Sequence, residues 1–285
     1  MLCRLLTGTC RALCHVPRFL TLVLLIALPA FGGPAFAETV AVVGSSENTE
    51  VVAALALAFG KANPGMHVEV PEPTGSSGGI KAVALGKAAL ARVARPLKDR
   101  EVAEGLRLVV FASAPVVFAT HPATGVVDLS RARVGDIYAR RVTDWSVLGG
   151  GPGKIYPLGP EAGDSMHRLM EKLIPGFSVS AAPPIESLGS SQELGQVAAR
   201  YPGAVVYVPL PVARAARLSV LSLDGVVPSA ETLANDSYPA SIPLGLVSAG
   251  EPQGVAGHFL DFIFSPEGAR VIREQGCLPL QKASP

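Results

Sequence analysis

Valine-rich apolar runs alternate along this chain with segments whose apolar positions recur at helical spacing. Thr39–Val43 reads as a first strand. Glu47–Ala62 follows as a helix with Val51, Leu55, Ala58 and Phe59 on one face, and Asn63-Pro64-Gly65 stops it. Met66–Val70 is a second strand, Thr74 to Gly79 a loop, and Ile80–Leu90 a second helix. Further strands are predicted at Leu106–Phe111, Val116–Thr120, Ile155–Leu158, Ala204–Val208 and Leu244–Val247. Helices are predicted at Ser130–Tyr138, Ser165–Leu173 and Ser191–Arg200, and Val255–Phe264 with Pro266–Glu274 forms a closing pair. This alternation predicts α/β layering around largely parallel sheets. No internal repeat or long low-complexity linker interrupts it, and Gly149–Gly153 reads as a tight surface loop.

The N-terminal segment departs from this pattern. Arg4, Arg11 and Arg18 lead into an apolar run from Phe19, which ends at Gly32-Gly33-Pro34 and then Ala35-Phe36-Ala37. A positive region, an apolar stretch and a small-x-small site are the layout of a secretory signal peptide, so residues 1–37 are expected to be removed before Glu38. The uninterrupted run Phe19–Leu28 is far shorter than the roughly 20 residues a spanning helix needs. Cys3, Cys10 and Cys14 fall inside the segment to be lost, which leaves Cys277 with no intramolecular partner. None of the early cysteines follows the apolar run, where a lipid-modified cysteine would sit. Removing three arginines from a chain of net charge +1 leaves the remainder slightly negative. That balance argues against nucleic acid or an anionic membrane as the main partner.

Two stretches place glycine and small hydroxyl residues ahead of a helix. Gly44-Ser45-Ser46-Glu47-Asn48 follows the first strand, and Thr74-Gly75-Ser76-Ser77-Gly78-Gly79 follows the second. A helix N-terminus offers unpaired N–H groups and partial positive charge, so such loops can hold an anion without a lysine. Ordinary capping accounts for either loop alone. The second also matches G-x-S-x-G, with Ser77 at the place of a hydrolase nucleophile. However, Pro71-Glu72-Pro73 separates the strand from that turn, and His121, His167 and His258 lie in no recognisable context as a base. Gly153-Lys154 lacks the remainder of a phosphate-binding P-loop. No His/Cys/Asp/Glu spacing indicates a metal, and no cofactor is implied.

Taken together, Gly75-Ser-Ser-Gly-Gly-Ile-Lys81 and Arg95-Pro-Leu-Lys-Asp-Arg-Glu101 resemble the periplasmic phosphate-binding proteins of ABC importers and their PBP-like relatives. Further matches follow in the same order. They are Asp136-Ile-Tyr138 with Arg141, Trp145 and Leu148-Gly149-Gly150, then Tyr201-Pro-Gly-Ala-Val-Val-Tyr-Val208, then Tyr238-Pro239 with Leu244, and finally Phe259-Leu-Asp-Phe-Ile-Phe-Ser-Pro-Glu-Gly268. The resemblance implies a type II periplasmic-binding-protein fold, with two α/β lobes closing on a ligand cleft. One lobe would be 38–117 plus 241–285 and the other 118–240.

The resemblance also implies function and site. The protein is expected to be a non-catalytic, monomeric, periplasmic solute receptor that captures phosphate or a similar oxyanion for an ABC importer permease. The family's first loop falls on Ser45 and Ser46, followed by Glu47, and its second on Gly75, Ser76, Ser77 and Gly78. Its proton-accepting aspartate falls near Ala94, and the arginine of its last loop on Pro160, with Gly163, Asp164 and Ser165 after it. Arg95, or Arg92, would supply the missing positive charge; Arg140 and Arg141 are read as structural or surface groups. These departures keep a second reading open, a divergent receptor with a sensory or partner-binding role and another ligand. A serine hydrolase built on Ser77 is the third.

Overall fold

A computed structural model describes residues 38–160, 164–174, 177 and 188–282. The expected signal peptide and Gly163 lie outside these residues. The chain runs β1 (Glu38–Gly44), α1 (Thr49–Ala62), β2 (Met66–Glu69), α2 (Gly75–Ala84), β3 (Leu90–Val93), α3 (Asp99–Ala103) and β4 (Leu106–Thr120). It continues through β5 (Asp128–Leu129), α4 (Arg131–Tyr138), β6 (Tyr156–Leu158), α5 (Ser165–Leu173), α6 (Ser191–Arg200), β7 (Ala204–Pro209) and α7 (Leu210–Ala215). It closes with β8 (Ser219–Val220), β9 (Ser222–Leu223), α8 (Ala230–Ala234), β10 (Ser241–Ala249), α9 (Gly254–Ile263), α10 (Pro266–Glu274) and β11 (Leu278–Pro279).

The main sheet has the order β2-β1-β3-β10-β4-β7-β6. Its flanks are parallel as expected, since β1 pairs with β2 and β3, and β6 with β7. Its centre is antiparallel, contrary to expectation: β10 runs against β3 and β4, and β4 against β7. The reason lies in β4, where two predicted strands form one of 15 residues. Leu106–Pro115 pairs with β10, and Val116–Thr120 pairs with β7. Pro115 has no N–H to donate, so it sits where a strand changes partner. The next amide, Val116 N–H, donates to Ala240 O just before β10 (3.0 Å).

Each half of the sheet has its own aromatic cluster. Phe59 on α1 meets Phe259 and Phe262 on α9 edge-on, at 5.4 and 5.6 Å between ring centres. Around β7, Tyr207 meets Phe118, Tyr138 and Phe177 at 5.6–6.0 Å. Several residues that carry the family resemblance are explained here by packing. Tyr138 donates its hydroxyl to Leu158 O (2.8 Å), Tyr238 to Val116 O (2.9 Å), and the Trp145 indole donates to Gly203 O (3.1 Å). These buried rings keep their polar atoms paired, as burial requires. Gly203 has to be glycine because a Cβ there would lie 2.1 Å from Lys154 O. Cys277, near the C-terminal end, is fully buried. Among the described residues no helix is long and apolar enough to cross a membrane.

Candidate functional site

The two glycine-rich loops come together at the ends of β1 and β3. Gly75 to Gly79, expected as a loop, is instead the first turn of α2, and the helix ends at Ala84, ahead of β3. Gly75 enters the helix at φ +72°, a conformation that favours glycine. Gly79 lets α2 lie directly on β1, since a Cβ would fall 2.7 Å from Gly44 Cα. The Ser76 Oγ consequently reaches the end of β3 and accepts the Ala94 N–H (3.3 Å). Its own proton stays available for another acceptor. Gly78 is half-buried against Thr74. Ser77 is exposed, and its Oγ accepts from Arg95 Nη2 (3.2 Å). A guanidinium, not an imidazole, is thus the partner of Ser77. His121 Nδ1 accepts the Ala123 N–H, and His167 lies against the Tyr207 hydroxyl and Glu171.

Both arginines expected to bring positive charge are committed to structure. Arg95 forms a two-point pair with Glu101 (2.9 Å each) and donates to Pro96 O (2.8 Å). That pair, with the Lys98 N–H, holds the Glu101 carboxyl down at about 2. Arg92 is fully buried beneath the first loop. It donates to Ser45 O and Pro71 O (2.7 Å each) and to Val42 O. Burial lowers its pKa, and the charges of Glu50, Glu72 and Glu47 oppose that shift.

The first loop is also arranged differently from expectation. Ser45 is fully buried, and its hydroxyl donates to the Glu47 carboxylate. The Ser46 hydroxyl also hydrogen-bonds Glu47, and it accepts the Ser191 N–H from α6 (3.2 Å). Gln192 Nε2 donates to Ser46 O (2.7 Å) and to both Glu50 oxygens (3.0 Å each). The N-terminus of α6 therefore docks onto the first loop. The sequence marked this helix start, with Ser190 and Glu193 three residues apart, but not its partner. Burial raises the Glu47 and Glu50 carboxyls; the serine contacts oppose this for Glu47, and Gln192 opposes it for Glu50. The like charge of Asp164 raises Glu47 further.

Asp164 takes the capping position of α5, accepting the Met166 N–H (2.8 Å), and Ser165 is the first residue of that helix. Behind them the Tyr207 hydroxyl is raised by burial and by the charges of Asp164 and Glu171. Asn48 is also fully buried: its amide donates to Val93 O (3.3 Å), and its Oδ1 has no partner. No group of His, Cys, Asp and Glu among the described residues could hold a metal ion.

Two wound α/β halves, joined by β4 and β10 around helix N-termini and buried serines, are the architecture of a periplasmic-binding-protein domain. The chain belongs to the PBP superfamily, whose domain matches residues 30–267. It is similar to the phosphate-binding protein PstS of Bacillus subtilis (strain 168), at 27% identity over 242 residues, 83% of this chain and 79% of that protein. It is 23% identical over 255 residues to PstS of Borreliella burgdorferi, covering 86% of this chain and 91% of that one. Among solved structures, a substrate-binding protein from Clostridium perfringens with bound phosphate matches at TM-score 0.71 and 27% identity, over 86% of this chain and 100% of that one. A phosphate-binding protein from Stenotrophomonas maltophilia shares the fold, with TM-score 0.62 and 18% identity over 86% and 91% of the two chains. The fold is thus the type II arrangement of two lobes and a cleft that the motifs implied.

Proposed function

We propose that this protein captures phosphate, or a small oxyanion like it, between its two lobes outside the cytoplasmic membrane and delivers it to an ABC importer, without performing chemistry on it. The observation that carries this reading is the juxtaposition of the first turn of α2 with the Ser45–Ser46 loop. It combines helix N–H groups, glycine and hydroxyls, as oxyanion capture requires, in a chain aligned along 86% of its length with a phosphate-loaded protein. Ser76 contributes a hydroxyl, Gly75, Ser77 and Gly78 line the helix start, and Asp164 and Ser165 approach from the other lobe. The lobes comprise 38–117 plus 241–285 and 118–240, and they close about the two chain crossings at 117–118 and 240–241.

Calorimetric titration tests this. The exported protein is stripped of endogenous ligand by unfolding and refolding, then titrated with phosphate at low salt. Micromolar or tighter binding is expected, weakened about tenfold by Ser76→Ala, the worth of one hydrogen bond to a charged group. No heat from phosphate, sulfate, molybdate or tungstate would sink the oxyanion reading. The occupied donors of Arg92 and Arg95 favour one alternative, a receptor of the same fold that senses a different solute.

A further inference from the structure

The hydroxyls expected to grip an oxyanion already grip a carboxylate. Ser45 donates to Glu47, Ser46 hydrogen-bonds it too, and the Glu47 N–H lies 3.4 Å from Ser45 Oγ. Glu47 therefore acts as an internal anion on the first loop. The charges around it leave little room for a second one. On the helix that follows it stands Glu50, on β3 the buried guanidinium of Arg92, and in the loop before α2 Glu72. Across the cleft, α5 brings Asp164, with His167, Arg168 and Glu171 along the same helix, and β7 brings Tyr207. Arg92 is fully buried and its N–H groups point to backbone carbonyls, so it balances charge without reaching a ligand. Adding an oxyanion beside a negative Glu47, with the Asp164 carboxyl facing it, in a partly desolvated cleft, would cost more than hydroxyl donors return.

We propose that Glu47 and the oxyanion share a proton, so that the site binds its ligand only as anion plus proton and Glu47 sets the pH range of capture. This rests on the oxyanion reading above. The balance is simple. One proton enters from solvent with each ligand and resides between the Glu47 carboxyl and a ligand oxygen. Neutralising Glu47 removes one charge and releases the Ser45 and Ser46 hydroxyls to donate to the ligand. The protonated carboxyl itself becomes a donor, in place of the arginine that Pro160 replaces. Glu47 is thus a specificity-determining residue: it admits an oxyanion that can arrive with a proton.

The test is calorimetric titration with inorganic phosphate between about pH 6 and pH 8.5, repeated in buffers of different ionisation enthalpy to count protons. Wild type is compared with Glu47→Gln and Asp164→Asn; asparagine keeps the helix cap. Wild-type affinity is expected to fall about tenfold more per pH unit than that of Glu47→Gln at the alkaline end, where it takes up about one proton more per ligand. Glu47→Gln should bind at least about tenfold tighter than wild type at about pH 8, one proton's worth of linkage. Asp164→Asn should shift wild-type behaviour the same way by less. Equal slopes and proton counts in wild type and Glu47→Gln, or weaker binding by Glu47→Gln at every pH with native thermal unfolding, would overturn the shared proton while leaving phosphate capture standing. Absence of binding by all three proteins at every pH would overturn both.

Discussion

Three residues apart at the end of β3, Arg92 and Arg95 occupy opposite kinds of surroundings. Arg92 lies in a strand buried on both faces and finds only backbone carbonyls, from Val42, Ser45 and Pro71. Arg95, just past the strand, finds a carboxylate, a carbonyl and a hydroxyl. Arg92 ties β1, the loop after β2 and the first binding loop to one guanidinium, so its contribution is to position backbone. Arg95 fixes the start of α3 through Glu101 and leaves its neighbour Ser77 at the surface. A cation near a proposed anion site is thus no evidence of anion contact until its donors are accounted for.

The largest test of that contrast is Arg92→Met. It strands three carbonyls and removes a guanidinium that faces Glu47, Glu50 and Glu72, so a stability loss of about 3–5 kcal/mol is expected in urea unfolding. Arg92→Lys keeps the charge but not the planar fork and should fall between. A loss under about 1 kcal/mol for the methionine variant would show that the carbonyls find other partners. Gly79→Ala, which presses α2 off β1, comes next at about 1–3 kcal/mol. Glu101→Gln is smaller, about 1–2 kcal/mol, because glutamine fills the same place and keeps a neutral hydrogen bond to the Arg95 guanidinium.

The Glu101 effect has a defined pH range. The folded-state value is depressed to about 2, so this stabilisation is complete above the ordinary carboxylate range and is lost as pH falls from about 4.5 towards 2. Unfolding midpoints measured across that range should drop less steeply in Glu101→Gln than in wild type. Parallel curves would assign the acid sensitivity to other carboxylates.

Much of the fold was legible because its longer elements obey one period each. Helix α1 and the closing pair α9–α10 fall within a residue or two of their predicted bounds. The misreadings have local causes. Gly75 to Gly79 looks like a loop by composition, yet close packing against β1 demands glycine inside a helix. Pro115 falls between two predicted strands, whereas it marks a change of partner within one. In the site, Ser45, Ser46, Glu47 and Asp164 were visible as residues. Their pairing was not, because Ser46 meets Ser191 across 145 positions of sequence. Arg92 did carry a signal: its neighbours Leu90, Ala91, Val93 and Ala94 are all apolar, and an arginine in the middle of such a run has nowhere to go but inward.

Cys277 gives this molecule a built-in clock. Burial holds its thiol up at about 12, so in the folded protein it is neither exposed nor ionised at neutral pH. A reagent that attacks thiolates must wait for the C-terminal end to open. The rate at which labelled molecules accumulate under native conditions then counts openings directly, with no denaturant and no introduced probe. Run with and without phosphate, the same clock reports how far a bound ligand holds the chain shut.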